Sequence, residues 1–150
     1  MTQAPQDPAF ETRVRTSFGR QALMATLGAQ LMSVEPGRVI IELPFHADHT
    51  QQHGFLHAGV LTAIADSACG YAALSLMSKG TAVLSVEFKV NLLKPASGTR
   101  FRSIGTVARA GHTLSVCTAD VQALREGVWK DVAMMQATMM TIRDRGELND

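Results

Sequence analysis

The alternation of apolar and polar positions first predicts a helix, then two strands and a loop. Between Pro8 and Leu27 apolar residues recur at helical spacing, which predicts an amphipathic helix. Two strand-like runs follow on either side of the sequence EPG at residues 35–37, where Pro presets the backbone and Gly accepts a positive φ. The polar, His-rich residues 46–57 predict a loop.

The second half of the chain predicts one enclosed helix and four strands. From Ala58 to Ser78 the apolar residues surround the helix axis, which is typical of a helix enclosed on most sides. Short turn sequences separate four β-rich segments, residues 81–95, 99–111, 113–124 and 128–143. Short turns require antiparallel neighbours. The expected fold is α+β, with a sheet of about six strands wrapped around one long central helix and an extra N-terminal helix.

Composition and charge narrow the class of protein. The 150 residues predict one domain over residues 9–145, preceded by a disordered tail at 1–8. A net charge of +1 argues against a nucleic acid partner, and Asp66 in the long apolar run argues against a membrane span. Cys69 and Cys117 have no metal-type spacing and are expected to be buried free thiols. Without a signal-type N-terminus, a cytoplasmic location is expected.

Asp66 is the one full charge within the apolar run Gly59 to Met77. An uncompensated buried carboxylate costs several kcal/mol, which is comparable with the stability of a whole domain. Such a residue can accept structural hydrogen bonds, or it can serve as a base or nucleophile in a partly dry site.

The residues before this helix supply complementary chemistry. Backbone N–H groups near Ala58 and Gly59 have no intrahelical acceptor and lie at the positive end of the helix dipole, so they can hold an oxyanion. Gly54 and Gly59 allow a ligand to approach the backbone closely. An oxyanion site and a carboxylate, without a Ser-His or Cys-His pair, favour hydrolysis of an acyl group with a good leaving group, such as a thioester.

The spacing of Ala58 and Asp66 predicts more than one chain in each site. Eight residues of helix separate them by about 12 Å, too far for both to contact one carbonyl. Each site therefore needs Ala58 of one chain and Asp66 of another. Exposed sheet edges also favour pairing with a second copy, so a homodimer is the expected minimal unit, and a homotetramer stays open.

The sequences QQHGFLHAGVLTAIADSACGYAA, LSVEFKVNLLKPA and VARAGHTLSV resemble the hotdog-fold acyl-CoA thioesterases of the phenylacetate-degradation (PaaI) type, over roughly residues 30–142. The resemblance implies a hotdog fold, hydrolysis of acyl-CoA to free acid and CoA, and no cofactor.

The resemblance also implies roles for five residues. Asp66 corresponds to the helix carboxylate, either general base or nucleophile, and Ala58 to the backbone oxyanion donor, although the family usually has Gly there. Gln51 corresponds to the loop amide that orients the thioester or water, and Ser85 to a strand hydroxyl that holds the water. His57 corresponds to the His before the helix, usually an anchor of the loop.

In this family the nucleotide of CoA lies near a strand turn. The residues implied here are Arg109, Gly111, His112 and Thr113, with Lys94 as a further phosphate ligand. His112 stands where Arg or Lys is common. The alternative for each side chain is an ordinary solvated surface position.

Several alternatives remain open at this stage. His46, His49, His53 and His57 have spacing that zinc sites use, but without a second pair of ligands no metal is expected. The Met-rich residues 133–140 fit the core, a dimer contact or a lipid-tail pocket. A hydratase or dehydratase of the same fold and a non-catalytic acyl-CoA binder are the alternative functions. Acyl specificity is not predicted.

Overall fold

The computed structural model describes residues 3–148 and residue 150. In these residues the elements are α1 (Phe10–Arg20), α2 (Ala22–Leu27), β1 (Gln30–Glu35), β2 (Arg38–Pro44), α3 (Ala58–Leu74), β3 (Ala82–Leu92), β4 (Arg100–Arg109), β5 (Leu114–Arg125) and β6 (Val128–Ile142), with a 3-10 turn at Ala47–His49. The strands form one antiparallel sheet in the order β1-β2-β4-β5-β6-β3. This confirms the predicted α+β class, the six strands, the long helix and the additional N-terminal helical segment.

The sheet curves around α3, and one glycine sets how closely they pack. A Cβ atom on Gly105 of β4 would lie 2.3 Å from the carbonyl carbon of Ala68 and 2.4 Å from its oxygen. Only a residue without a side chain lets the strand cross the helix backbone at this distance. On α3, Ile64, Cys69 and Leu74 lie on different sides of the axis and are all fully buried, as expected for a helix that is enclosed on most sides.

The N-terminal helical segment is two helices, which differs from the single helix predicted. Gln21 lies between α1 and α2 in an extended conformation, with φ −80° and ψ 99°. Its N–H donates to the carbonyl of Phe18 and ends α1 there. Periodicity alone did not reveal this break, because the apolar spacing continues through it.

The central helix also ends earlier than predicted, at Leu74 instead of Ser78. Arg13 of α1 donates to the carbonyls of Leu74, Met77 and Ser78, each at 2.8 Å. Ser75 is fully buried, and its Oγ accepts from the Gly37 N–H at 2.8 Å. These tertiary partners satisfy backbone groups that would otherwise need a further helical turn or a conventional cap.

The predicted tail at residues 1–8 divides into two parts. Residues 1 and 2 lie outside the described residues. Asp7 is only 5% exposed, and its Oδ2 lies 3.2 Å from Nη1 of Arg13. The ion pair therefore joins this segment to the residue that caps α3.

Strand β3 is an edge of the sheet, with β6 as its neighbour. Phe88 and Leu92 pair across the strands with the buried residues Ala137 and Ala133, so they lie on the core-facing side. They are nevertheless 47% and 58% exposed. The core-facing side of β3 is therefore apolar, and the rest of the protomer covers it only in part.

None of the helices in the described part of the chain is both long and apolar enough to cross a membrane.

Candidate active site

The carboxylate of Asp66 on α3 contacts the hydroxyl of Ser85 on β3. Ser85 Oγ donates to Asp66 Oδ1 at 2.6 Å, the short distance expected for a hydroxyl that binds a carboxylate. Ser85 Oγ also lies 3.4 Å from the sulfur of Met139, its cross-strand partner on β6. The register of β3 against β6 shifts immediately afterwards, between Ser85 and Glu87. The structure therefore brings together two of the residues singled out in the sequence.

Asp66 is half-buried and opens into a cavity of about 160 Å³. The lining residues are Ser17, Gln21, Asp66, Ser67, Gly70, Tyr71, Val83, Ser85 and Asp150. Most of them carry polar groups, so the carboxylate faces a polar space even though its helix is otherwise apolar. The polar lining explains how an ionised carboxylate is accommodated in an otherwise apolar helix.

Four lining residues around α1, α2 and α3 were missed by sequence reasoning. Ser67 Oγ donates to Gln21 Oε1 at 3.1 Å, which links α3 to the break between the N-terminal helices. Ser17 Oγ donates to a carboxylate oxygen of Asp150 at 2.7 Å. Burial raises the pKa of the Tyr71 hydroxyl, and a hydrogen bond with Ser17 opposes that shift. The available signal was a Ser three residues after Val14, a polar residue on the core-facing side of α1.

Ala58 lines a different cavity, of about 430 Å³, with Gln51 and Lys94 among its neighbours there. Within one protomer the two halves of the expected site are therefore separate. The eight-residue spacing along α3 accounts for this, since it corresponds to about 12 Å.

The start of α3 leaves the Ala58 N–H without an acceptor among the described residues. The Gly59 N–H donates to Nδ1 of His57 at 2.8 Å. The N–H groups of Val60 and Leu61 both donate to the carbonyl of His57. Of the two N–H donors considered from the sequence, that of Ala58 is available to a ligand, whereas that of Gly59 already donates to His57.

The loop residues before α3 hold one another in place. His57 is exposed, and its side chain caps the helix, so only Nε2 remains for other contacts. Gln51 Oε1 accepts from the His53 N–H. Gly54, with φ +83°, donates its N–H to the carbonyl of Gln51 at 3.0 Å and completes the turn. Gly54 lines neither of the two cavities.

The turn between β4 and β5 is exposed and is attached to the end of β6. The carbonyl of His112 accepts from Arg143 Nη2 at 2.6 Å, and the carbonyl of Thr113 accepts from the Thr141 N–H at 2.8 Å. A Cβ on Gly111 would lie 2.2 Å from the carbonyl oxygen of Leu114, so this turn requires glycine. Arg109 ends β4 beside a shift in register.

Lys94 does not join that turn within one protomer. Its N–H donates to the carbonyl of Val132, near the start of β6, whereas Leu114 at the end of the turn pairs with Met140. Eight residues of strand separate these two points, roughly 27 Å.

Metal binding and thiol chemistry can also be considered among the described residues. No group of three His, Cys, Asp or Glu side chains among them is arranged to hold a metal ion. Cys69 and Cys117 are buried and unpaired, and burial raises the pKa of the Cys117 thiol to about 12 and that of Cys69 further. Both therefore stay protonated and are poor nucleophiles near neutral pH.

Comparison with known families adds a decisive observation. The model of the thioesterase superfamily matches residues 53–130, just over half of the chain, and includes Ala58, Asp66 and Ser85. The chain belongs to the thioesterase superfamily. The matched residues also contain the whole of α3, β3, β4 and β5.

Solved structures of this superfamily share the fold. A thioesterase family protein from Silicibacter pomeroyi is 50% identical, with a TM-score of 0.89 over 90% of this chain and 99% of that one. The PaaI protein of the E. coli phenylacetic acid degradation operon is 20% identical, with a TM-score of 0.79 over 91% of this chain and 96% of that one. The second likeness concerns the fold alone, and together they confirm the hotdog architecture.

Curated relatives match over a shorter range. A putative esterase of Saccharolobus solfataricus is 32% identical over 60% of this chain and 64% of its own length. Human acyl-coenzyme A thioesterase 13 is 29% identical over 61% of this chain and 65% of its own length. The chain thus spans just under two thirds of the curated relatives it matches.

Proposed function

We propose that this protein hydrolyses acyl-CoA thioesters to the free acid and CoA. The observation that carries the proposal is the 2.6 Å hydrogen bond from Ser85 Oγ to Asp66 Oδ1, at a cavity large enough to hold a small acyl group. Membership of the thioesterase superfamily supports hydrolysis of a thioester. The human relative named for acyl-coenzyme A supports CoA as the thiol to which the acyl group is attached.

Asp66 supplies the reactive oxygen in either of two routes. As a general base it takes a proton from water, whose oxygen then attacks the thioester carbonyl carbon. As a nucleophile it attacks that carbon itself and forms a mixed anhydride, which water opens. In both routes the C–S bond breaks and the CoA thiolate leaves and takes up a proton. Ser85 holds one carboxylate oxygen and leaves Oδ2 to react.

The oxyanion formed at the carbonyl needs a donor that the Asp66 cavity does not contain. We assign this role to the Ala58 N–H of a second protomer, because it is the N–H at the start of α3 that has no acceptor among the described residues. Gln51 lines the same cavity as Ala58 and positions the thioester or the water. His57 supports the loop through its contact with Gly59.

Strand β3 provides the surface for the second protomer. Its open edge presents unpaired backbone groups, and the half-exposed side chains of Phe88 and Leu92 lie on its core-facing side. Pairing of two β3 strands covers both features and brings Ala58 of one chain toward Asp66 of the other. The proposed unit is therefore a homodimer with two composite sites. A dimer of dimers stays a prediction.

Release of free thiol from a panel of short, long and aromatic acyl-CoA substrates tests this function. The parent protein should release CoA, and Asp66→Asn should not, because the amide can neither accept a proton nor attack. Hydrolysis that survives in Asp66→Asn contradicts the mechanism. Hydration of a double bond without thiol release would indicate the hydratase or dehydratase alternative, and binding without turnover would indicate a non-catalytic acyl-CoA binder.

A further inference from the structure

Asp150 lies where three cavities of the protomer meet. The active-site cavity beside Asp66 has a volume of about 160 Å³, a second cavity has about 350 Å³, and a groove along α1 has about 850 Å³. Among the described residues, Asp150 alone lines all three. Its side chain is 21% exposed. The small active-site cavity is therefore bounded, at this residue, by a much larger space.

Contacts from two elements hold the Asp150 carboxylate in place. Ser17 Oγ of α1 donates to Oδ1 at 2.7 Å, and Arg20 Nη2 of the same helix lies 3.5 Å from that oxygen. The Val83 N–H of β3 donates to Oδ2 at 3.2 Å. Both carboxylate oxygens thus have donors, and the side chain joins α1 to β3.

The segment that carries Asp150 leaves the sheet and returns to it. Ile142, the last residue of β6, pairs with Ala82 at the start of β3. The Leu148 N–H then donates to the carbonyl of Arg145 at 2.9 Å and closes a turn. Asp150 comes back to Val83, next to Ala82. A segment held by so few contacts opens at lower cost than a strand of the sheet.

The cavity linings show on which side of Asp150 the reaction takes place. The described residues that line the active-site cavity and not the second cavity are Asp66, Ser67, Gly70 and Ser85. Those that line both are Ser17, Gln21, Tyr71, Val83 and Asp150. An acyl chain that has its carbonyl at Asp66 and extends through this cavity therefore meets the boundary at Asp150 before it reaches the second cavity.

The second cavity offers apolar surface that a longer chain could bury. Ala82, Leu84 and Leu148 line it, and Leu84 is 48% exposed. Each CH2 group that reached this surface would bind more tightly through the hydrophobic effect. To enter, the chain must displace a carboxylate from its donors or pack directly against it, and both are costly because the charged group then loses hydrogen bonds.

We propose that Asp150 sets the upper limit on acyl-chain length, and that the substrates are short-chain acyl-CoA thioesters. While its carboxylate is bound to Ser17 and Val83, the acyl group is confined to the cavity beside Asp66. Asp150 acts here as a specificity-determining residue and takes no part in the chemical step. The assignment rests on the proposed thioesterase function, since it requires the thioester carbonyl to lie at Asp66.

A series of straight-chain substrates from acetyl-CoA to dodecanoyl-CoA tests this limit. The parent should prefer butanoyl-CoA to octanoyl-CoA. Asp150→Ala should raise the ratio of kcat/KM for octanoyl-CoA to that for butanoyl-CoA by about tenfold or more, because even one CH2 group admitted to an apolar pocket changes kcat/KM by about that factor. General damage to the fold would lower both values and leave the ratio unchanged.

Asp120→Ala is the matched control for loss of one carboxylate. Asp120 is exposed on β5 and lines none of the three cavities, so the ratio should stay at the parent value. Ser17→Ala removes one donor to Asp150 from a different element and should shift the ratio in the same direction. It decides the outcome if Asp150→Ala does not fold.

Two results overturn the assignment. One is a parent that hydrolyses octanoyl-CoA as well as butanoyl-CoA, and the other is an unchanged ratio in Asp150→Ala. If the parent hydrolyses no member of the series, the proposed function fails, and calorimetric titration with the S-alkyl thioether analogues of CoA still tests the length limit. Tighter binding of the octyl analogue to Asp150→Ala than to the parent supports it. Equal binding by both proteins, or by neither, overturns it.

Discussion

Ser85 Oγ and Asp66 Oδ1 lie 2.6 Å apart, although the two residues belong to different elements, an edge strand and the central helix. The contact fixes the orientation of the carboxylate and assigns one of its oxygens to a protein donor. Asp66 and Ser85 both line the polar cavity. This geometry leads to the first two predictions.

Replacement of Ser85 by Ala should lower kcat by about 10- to 100-fold, because a hydrogen bond to a charged group contributes about 1.5–3 kcal/mol. KM should change little if the bond orients Asp66 without touching the substrate. Steady-state kinetics on one acyl-CoA measures both constants. Ser85→Thr keeps the hydroxyl and is the control; full activity in Ser85→Ala would show that this contact is dispensable.

Asp66→Asn should abolish turnover without destabilising the fold. The helix around Asp66 is apolar, and a neutral amide costs less to hold there than a carboxylate. Thermal unfolding should give a Tm equal to or above that of the parent, while activity falls by at least about 10³-fold. A large drop in Tm would instead assign Asp66 a structural role.

Ala58→Pro tests the oxyanion donor with little disturbance of the helix. Ala58 is the first residue of α3, a position that favours Pro, and His57 before it already has the extended ψ of 137° that Pro requires. The substitution removes the N–H alone, so kcat should fall by about 10²- to 10³-fold. Ala58→Gly keeps the N–H and should remain active.

Mixed dimers locate the two halves of the site. When equal amounts of Asp66→Asn and Ala58→Pro chains are reassembled together, random pairing should restore about a quarter of the parent activity, because half of the dimers then contain one intact composite site. If both residues acted within one chain, the mixture would stay inactive. Each variant reassembled alone is the control.

Arg13→Met should lower the free energy of unfolding by about 3–5 kcal/mol, the usual effect of breaking a buried ion pair. The guanidinium is 8% exposed and satisfies three carbonyls at the end of α3 as well as Asp7. Unfolding in increasing concentrations of denaturant measures this free energy for the variant and the parent. Arg15→Met, which removes an exposed pair with Glu11, should change stability by less than about 1 kcal/mol.

Gly105→Ala should destabilise the protein by about 1–3 kcal/mol or more, since the new Cβ would overlap the backbone of Ala68 and force the sheet away from α3. Gly19→Ala is the matched control. Nothing lies within 4 Å of the added Cβ there, and it should stabilise α1 by roughly 0.5–1 kcal/mol. Equal effects at both glycines would contradict close packing at Gly105.

Local patterns in the sequence were sufficient for the elements and for the type of fold. Each of the four predicted β-rich segments from residue 81 onward corresponds to one strand to within a few residues at its ends, and the turn at residues 35–37 joins β1 to β2 as expected. These features depend on alternation, turn residues and hydrophobic periodicity over short ranges, which neighbouring residues encode. The apolar run with one charge likewise identified Asp66 as unusual.

The ends of the helices and the composition of the cavity depended on tertiary structure. Arg13, sixty-one residues before Leu74, donates to the Leu74 carbonyl where α3 ends, and the local sequence around Leu74 does not record that partner. Gln21 and Ser67 meet beside Asp66 only because the N-terminal helices fold back against α3. Such contacts join residues far apart in sequence, where periodicity carries no information. The chain's own pattern specified which elements form, and long-range packing decided which of their side chains share a site.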